Sequence, residues 1–460
     1  MSTRENFALR DYLSPDLKGR TISDPRHKLS LTESLQTTCL TGSIRELSGR
    51  SVLLAVSGQL LSAVAMIEID GVAGRMLLCP PDVNSDYIET LIDEAGIDTI
   101  VTDEPHRWAD AKVSSILAVH LPEPTAVKSK TERATQWLML TSGTSGLPKI
   151  VGHTLEGLCG AILADGASHG AAPVWATFYD IRRYGGLQIF LRAVVGGGSM
   201  VLSEPGGPLA DHIARLAAQG VTHISGTPSH WRKLLMSRSV SDFSPRYVRL
   251  SGEIADQSVL DGLAQAFPNA SIGHAYASTE AGVGFAVTDG REGFPASLIG
   301  QDRNGVELKV VDGSLRIRSK RTARAYIGRS AAALIEADGF VDTGDMVELR
   351  GDRYHFVGRR GGIINIGGLK VHPEEIETVI NRHQAVRMSR AKSRRSPITG
   401  SIVVADVVLA AAGVGREDAV RDEILRDCRA HLTSYKVPAL IRFVETLDVT
   451  PAGKLARPDA

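Results

Sequence analysis

Between Thr141 and Lys149 the chain reads TSGTSGLPK, directly after the apolar run WLML from Trp137 to Leu140. Thr141, Ser142, Thr144 and Ser145 supply hydroxyls, Gly143 and Gly146 free the backbone, and Lys149 closes the run. An apolar segment that breaks into glycine-rich chain predicts a strand feeding a loop whose N–H groups curl inward. Such N–H groups, with hydroxyl donors and an ammonium point charge, suit the oxygens of a polyphosphate. An ordinary surface turn is the bland alternative, but a linker needs neither four hydroxyls nor a terminal lysine. The loop is not a P-loop, because GxxxxGK[ST] requires a glycine where Pro148 stands.

Further clusters follow in order: SGE at Ser251–Glu253, HAYASTEAG at His274–Gly282, DGFVDTGDM around Asp345, GRRGGIINIGGLKVHPEEIE from Gly358, and TPAGKLAR around Lys454. Taken singly, DTGD reads as well as a polar turn, and Lys454 as a solvated lysine on a frayed tail. Together and in this order they resemble the acyl-adenylate-forming superfamily of acyl-CoA ligases, luciferases and stand-alone adenylation domains. The resemblance covers Trp137 to Arg457 and reaches the first 130 residues only loosely. Members activate a carboxylic acid with ATP, release pyrophosphate, and pass the acyl group from AMP to a thiol or amine.

The resemblance implies roles residue by residue. Residues Thr141, Ser142, Gly143, Thr144, Ser145, Gly146 and Lys149 would hold the ATP phosphates. Tyr276 would lie against the adenine, Thr279 would donate to the α-phosphate, and Glu280 would hold Mg²⁺, a hard cation that prefers oxygen ligands. Asp345 would accept both ribose hydroxyls, as an acceptor-only carboxylate can, and Arg359 would contact the nucleotide. Gly367 and Gly368 would line the channel for the pantetheine of coenzyme A. Lys454 would be catalytic with Thr279 and Glu280, bridging the acid and the α-phosphate as charge shifts between them. The acyl pocket would draw on Phe178, Tyr179, Arg183, Ser251, Gly252, Glu253 and Ala277, whose aromatic rings favour an aryl or compact acid over a long alkyl tail. Departures from the family pattern are Ala277 after the tyrosine, Gly361 at the hinge, and Asn365 where relatives often carry lysine.

These residues need elements to position them. From Leu138 to Tyr276 short apolar strands alternate with amphipathic helices, the pattern of a layered α/β domain with a largely parallel sheet. Beyond Gly300, strands joined by tight turns at Asp312–Gly313 and Gly351–Asp352 predict a β-rich subdomain. Pro373 opens a helix, Ser401 begins a buried strand, and Asp418 to His431 reads as a second helix. The expected fold is therefore α/β: a large domain over residues 1–357 with parallel sheets and a β-rich subdomain, then a small mobile α+β domain over 358–460.

Composition narrows the function further. The 460 residues carry 52 Lys plus Arg against 52 Asp plus Glu, and a neutral chain has no excess cationic charge for nucleic acid or an anionic membrane. No apolar run has the length of a membrane span, and the first residues lack a signal-peptide core, so a cytoplasmic protein is expected. Cys39, Cys79, Cys159 and Cys428 have no metal-ligand spacing and read as reduced packing residues. Arg182 and Arg183 suit a second carboxyl of the acid, or else pairing with Asp180. His153, His223 and His274 read as packing residues, because an acid already ionised at neutral pH needs no base.

The expected activity is ATP- and Mg²⁺-dependent formation of acyl-AMP from a small carboxylic acid, followed by thioester formation with coenzyme A. An acyl carrier protein is the alternative acceptor, served by the same residues. A non-catalytic nucleotide-binding homologue is a third reading. A Rossmann dehydrogenase is disfavoured, since no GxGxxG joins a strand to a helix here.

Overall fold

The computed structural model describes residues 8–13, 19–125, 131–141, 147–165, 171–203, 208–328, 333–366, 369–396, 400–450 and 453–457. Of the residues named above, Ser142, Gly143, Thr144, Ser145, Gly146, Gly367 and Gly368 lie outside the described residues.

Among the described residues, the strands before the small C-terminal part gather into two eight-stranded sheets and one six-stranded sheet. The first sheet runs parallel from Ser271–Ser278 through Tyr247–Ser251, His223–Gly226, Val174–Thr177 and Ser199–Val201 to Thr21–Ser23. Antiparallel strands Gly282–Val287 and Lys28–Ser30 close its two edges. Parallel neighbours need crossovers, and the helices Leu209–Ala218, Pro228–Leu235 and Gln257–Ala266 supply them. Each crossover helix buries one stripe: Ile213 and Leu216, then Trp231 and Leu234, then Val259, Leu260 and Leu263. The expected alternation from Leu138 to Tyr276 is thus present, with the carboxyl ends of the strands Val174–Thr177, His223–Gly226, Tyr247–Ser251 and Ser271–Ser278 facing one way.

The second sheet is built largely from the first 140 residues. Ser51–Ala55, Arg75–Leu78, Thr99–Thr102 and Gln136–Leu140 lie parallel in its centre. Sequence patterning left this region unread because Val52, Leu53, Leu54, Met76, Leu77 and Leu78 are all buried, which removes the alternation that marks a half-buried strand. The helices Gln59–Ile69, Leu155–Asp165 and Tyr184–Val195 share one apolar cluster with both sheets. Gln59–Ile69 is buried almost all round, as its continuous apolar sequence requires.

One buried cation ties the sheets together. The Arg182 side chain is fully buried in the turn before Tyr184–Val195. It donates from Nε to Asp180 Oδ1 at 2.7 Å and from Nη1 to the carbonyls of Val56 and Ser57, the latter at 2.9 Å. Those carbonyls follow the strand Ser51–Ala55 of the other sheet. Arg182 is therefore structural, and it does pair with Asp180.

The β-rich subdomain is the six-stranded antiparallel sheet. Its hairpins turn at Asp312 and Gly313, with φ of 50° and 73°, and at Gly351 with φ of 62°. The C-terminal part has its own apolar core, in which Ile376 and Ile380 of helix Pro373–Asn381 and Val420 and Ile424 of helix Glu417–His431 meet Val403 and Val407 of a three-stranded sheet. No helix among the described residues is long and apolar enough to cross a membrane.

Replacing Arg182 by alanine strands the largely covered Asp180 carboxylate and two carbonyl groups. The expected loss is about 3–5 kcal/mol of unfolding free energy, seen as a lower urea midpoint with an unchanged slope.

Candidate active site

The carboxyl ends of the first sheet and the β-rich subdomain converge on Asp345. Tyr276, near the end of strand Ser271–Ser278, donates its hydroxyl to Asp345 Oδ2 at 2.5 Å. Arg359 Nε donates to Asp345 Oδ1 at 2.8 Å from the neighbouring strand, where the two residues are register partners. The carboxylate holds the Arg359 guanidinium well above its ordinary pKa, while burial and the same carboxylate push the Tyr276 phenol up. Phe285 and Phe356 lie nearly parallel to the Tyr276 ring, with centroids at 5.7 and 5.3 Å. The ring expected to meet a base is thus set in an aromatic stack, and it stays partly exposed. Each carboxylate oxygen of Asp345 retains a lone pair, so two further hydroxyl donors are chemically compatible.

Thr279 and Glu280 form the turn between Ser271–Ser278 and Gly282–Val287. The turn is pinned on both sides, by His153 Nε2 at 2.8 Å from the Thr279 carbonyl and by Ala323 N–H donating to the Glu280 carbonyl at 2.8 Å. His153 is buried, and desolvation lowers its pKa to about 4, so it works as a neutral hydrogen-bonding residue. His223 and His274 are likewise engaged, with Thr222 Oγ1 and the Arg291 carbonyl. Among the described residues, the Glu280 carboxylate makes no hydrogen bond or ion pair, and no group of three His, Cys, Asp or Glu could hold a metal. A lone open carboxylate fits Mg²⁺, which takes one or two protein oxygens and otherwise keeps phosphates and water.

Thr141 and Lys149 flank the loop that opened the sequence. The strands Gln136–Leu140 and Ile150–Thr154 pair antiparallel, and Thr141 N–H donates to the Lys149 carbonyl at 2.9 Å. The ammonium of Lys149 sits 4.9 Å from the centre of the Tyr326 ring.

Lys454 arrives on a short C-terminal hairpin. Thr450 N–H donates to the Lys454 carbonyl at 2.6 Å, and Ala456 N–H to the Asp448 carbonyl at 2.9 Å. Arg457 anchors the hairpin to helix Pro373–Asn381 through both Glu377 oxygens, at 2.9 and 2.7 Å. Leu455 packs against the cluster of Met388, Val408 and Leu447. The tip meets the first sheet: Thr227 Oγ1 donates to the Gly453 carbonyl at 2.6 Å, and Leu455 N–H donates to Glu253 Oε1 at 2.8 Å. Lys454 Cε comes within 3.5 Å of where a side chain on Gly252 would begin. Desolvation, then the charge of Arg359, lower the Lys454 pKa, while Glu253, Asp345 and Glu280 oppose the fall.

Two of the expected pocket residues have other work. Arg183 Nη2 pairs with Asp82, at 2.7 and 2.5 Å from its two oxygens, so its charge is neutralised rather than offered to a ligand. Glu253 accepts Ser229 N–H at 2.9 Å besides Leu455 N–H, so both oxygens serve backbone amides. Tyr179 is buried and donates its hydroxyl to the Ser251 carbonyl at 2.6 Å. Phe178 stacks on His230 with centroids 5.2 Å apart and meets Trp231 edge-on at 5.7 Å. Thr227 and His230 fall in the run SGTPSHW from Ser225 to Trp231, which the family resemblance assigns to the acyl pocket as a whole. Glu377 and Arg457 carry no role from sequence, and an arginine three residues past Lys454 is their only signal.

Comparison with known proteins gives the chain's family and fold. Residues 63–323 match the model of the AMP-binding enzyme family, and residues 375–454 match that of the AMP-binding enzyme C-terminal domain. A 2-succinylbenzoate–CoA ligase of Listeria monocytogenes is 28% identical over 367 residues, covering 77% of this chain and 76% of the relative. Among solved structures, the anthranilate CoA ligase AuaEII in complex with anthranoyl-AMP superposes with a TM-score of 0.80 at 16% identity, over 98% of this chain and 96% of that one. The amide bond synthetase McbA from Marinactinospora thermotolerans gives 0.75 at 19% identity, over 97% of each. At those identities the structural matches speak for the fold alone.

Asp345→Asn removes the charge that takes the Tyr276 hydroxyl and the Arg359 guanidinium. An unfolding free energy lower by about 1–3 kcal/mol is expected without any ligand, measured by urea titration beside Tyr276→Phe.

Proposed function

Because the chain belongs to the AMP-binding enzyme family, we propose that it is an AMP-forming acid:CoA ligase acting on an aryl or compact carboxylic acid. The observation that carries this is the docked hairpin, which sets Lys454 over Gly252 and within the field of Asp345, Arg359 and Glu280. In the first step a carboxylate oxygen of the acid attacks the α-phosphorus of ATP, the α,β phosphoanhydride breaks, and pyrophosphate leaves. Lys454 stabilises the negative charge shared between the acid and the α-phosphate. Thr279 donates to that phosphate, Asp345 takes the ribose, Tyr276 flanks the adenine and Arg359 contacts the nucleotide. Residues Thr141 to Gly146 with Lys149 hold the departing phosphates. Mg²⁺ bound at Glu280 would neutralise charge on the phosphate oxygens.

In the second step the thiol of coenzyme A attacks the acyl carbon, AMP leaves, and the thiol proton is lost. Gly367 and Gly368 are assigned to the pantetheine channel, and residues 358–460 to the small domain that moves between the steps. The aromatic wall of Phe178, Tyr179 and His230 supports a compact ring as the acyl group, with Ser251, Gly252 and Ala277 completing the pocket. The ligase relative of Listeria monocytogenes acts by name on 2-succinylbenzoate, an aryl acid, which agrees with that wall. A carrier-protein thiol is the alternative acceptor.

Pyrophosphate release with a panel of aromatic and short aliphatic acids tests the reading. At least one acid is expected to give release that Lys454→Ala lowers by about 100-fold or more, with thioester forming when CoA is added. No acid raising release above the Lys454→Ala background would overturn the enzymatic reading. Thioester forming only with carrier protein would replace the acceptor.

A further inference from the structure

We infer that Glu253 and Thr227 are positioning residues that dock the Lys454 hairpin for adenylation and let it go for acyl transfer. The inference rests on the ligase reading above. Both contacts to the hairpin are made with its backbone, the Gly453 carbonyl and the Leu455 N–H, so they fix where the strand lies rather than which side chains it carries. The fit is close: an added Cβ on Gly453 would lie 1.9 Å from the His230 ring, and its φ of 75° already disfavours any side chain.

Each docking group has somewhere to go when the hairpin leaves. Thr227 Oγ1 caps helix Pro228–Leu235 by accepting the His230 N–H at 3.1 Å, and Thr227 N–H reaches His230 Nδ1 at 3.2 Å, so Thr227 is held without the hairpin. Its hydroxyl proton, freed from the Gly453 carbonyl, can share that nitrogen at 2.9 Å or meet the solvent that replaces the hairpin. Desolvation lowers the His230 pKa to about 4, which keeps that ring a neutral acceptor. Glu253 is partly exposed, so Oε1 rehydrates while Oε2 keeps the Ser229 N–H of helix Pro228–Leu235. Undocking thus strands no buried polar group, which is what a contact made and broken in every turnover requires. The other end of the hairpin is different in kind. Arg457 grips Glu377 of its own domain with two hydrogen bonds, and Arg390 Nη1 donates to the Ala456 carbonyl at 3.0 Å, so the hairpin travels with the small domain. Glu253 and Thr227 are the large-domain half of a releasable catch.

Glu253→Gln and Thr227→Val test this, with Thr227→Ser as the conservative variant. Three quantities are read: acid-dependent exchange of pyrophosphate into ATP, thioester formation from supplied acyl-adenylate and CoA, and the rate of tryptic cleavage after Lys454, followed by mass spectrometry. In Glu253→Gln and Thr227→Val the exchange falls about tenfold more than the thioester step, and cleavage after Lys454 accelerates about tenfold. Thr227→Ser restores both. Equal loss in the two half-reactions would assign the residues to the pocket or the fold and overturn the catch, as would unchanged cleavage after Lys454 in both variants. The cleavage readout needs no acid: accelerated cleavage in a protein that activates no acid supports the docking contacts and removes the ligase reading alone.

Discussion

Asp345 sits where three parts of the chain meet. Its carboxylate takes the Tyr276 hydroxyl from the end of the parallel sheet and the Arg359 guanidinium from the strand that leads into the small domain. Arg360, next along, pairs with Asp342 at 3.1 Å, and Asp342 also accepts from Ser314 at 2.6 Å. The short run from Asp342 to Asp345 therefore holds both arginines that precede Gly361. Charge-assisted hydrogen bonds of this kind are stronger than neutral ones and hold their partners in direction. In the proposed function this one carboxylate would serve both the ribose and the approach to the hinge.

Two further contacts differ in character, and the difference matches their tasks. Arg182 is fully buried and spends its guanidinium on a carboxylate and two carbonyl groups, so it welds the sheets permanently. The Lys454 hairpin is held at its tip by a hydroxyl that also caps a helix of its own domain and by a partly exposed carboxylate. A buried ion pair resists separation because its members would be left uncompensated. A contact whose groups keep other partners parts at little cost. Stability thus rests on Arg182, and the inferred release on Thr227 and Glu253.

Much of this was legible in the sequence. The hydroxyl- and glycine-rich loop declared itself by residue type, whereas the Thr279–Glu280 turn, Asp345 and Lys454 gained meaning only from the order in which the clusters follow one another. The helices and most strands after Leu138 were legible through period. The centre of the second sheet, over Ser51–Ala55, Arg75–Leu78 and Thr99–Thr102, was not, because strands buried on both faces carry no alternation. Arg183 looked like a ligand for the acid because Asp82, which neutralises it, lies about a hundred residues away in the chain. Glu253 looked like pocket lining for the same reason: its partner Leu455 is separated from it by 202 positions.

The chain by itself determined the chemistry available: which carboxylates, hydroxyls and cations exist, in what order, and on which local elements. Those are properties of residue type and short-range spacing, and the order of the clusters carried the family resemblance that the matches over residues 63–323 and 375–454 bear out. Only the tertiary structure decided which charges are free and which are spent. Pairing depends on distance in space, and the sheets bring residues from opposite ends of the chain within a hydrogen bond. The hairpin's catch is the extreme case, since its contacts from the Lys454 side are backbone N–H and C=O groups that every residue but proline carries. No choice of side chain on the hairpin announces them, apart from the glycine at 453 that lets the strand approach.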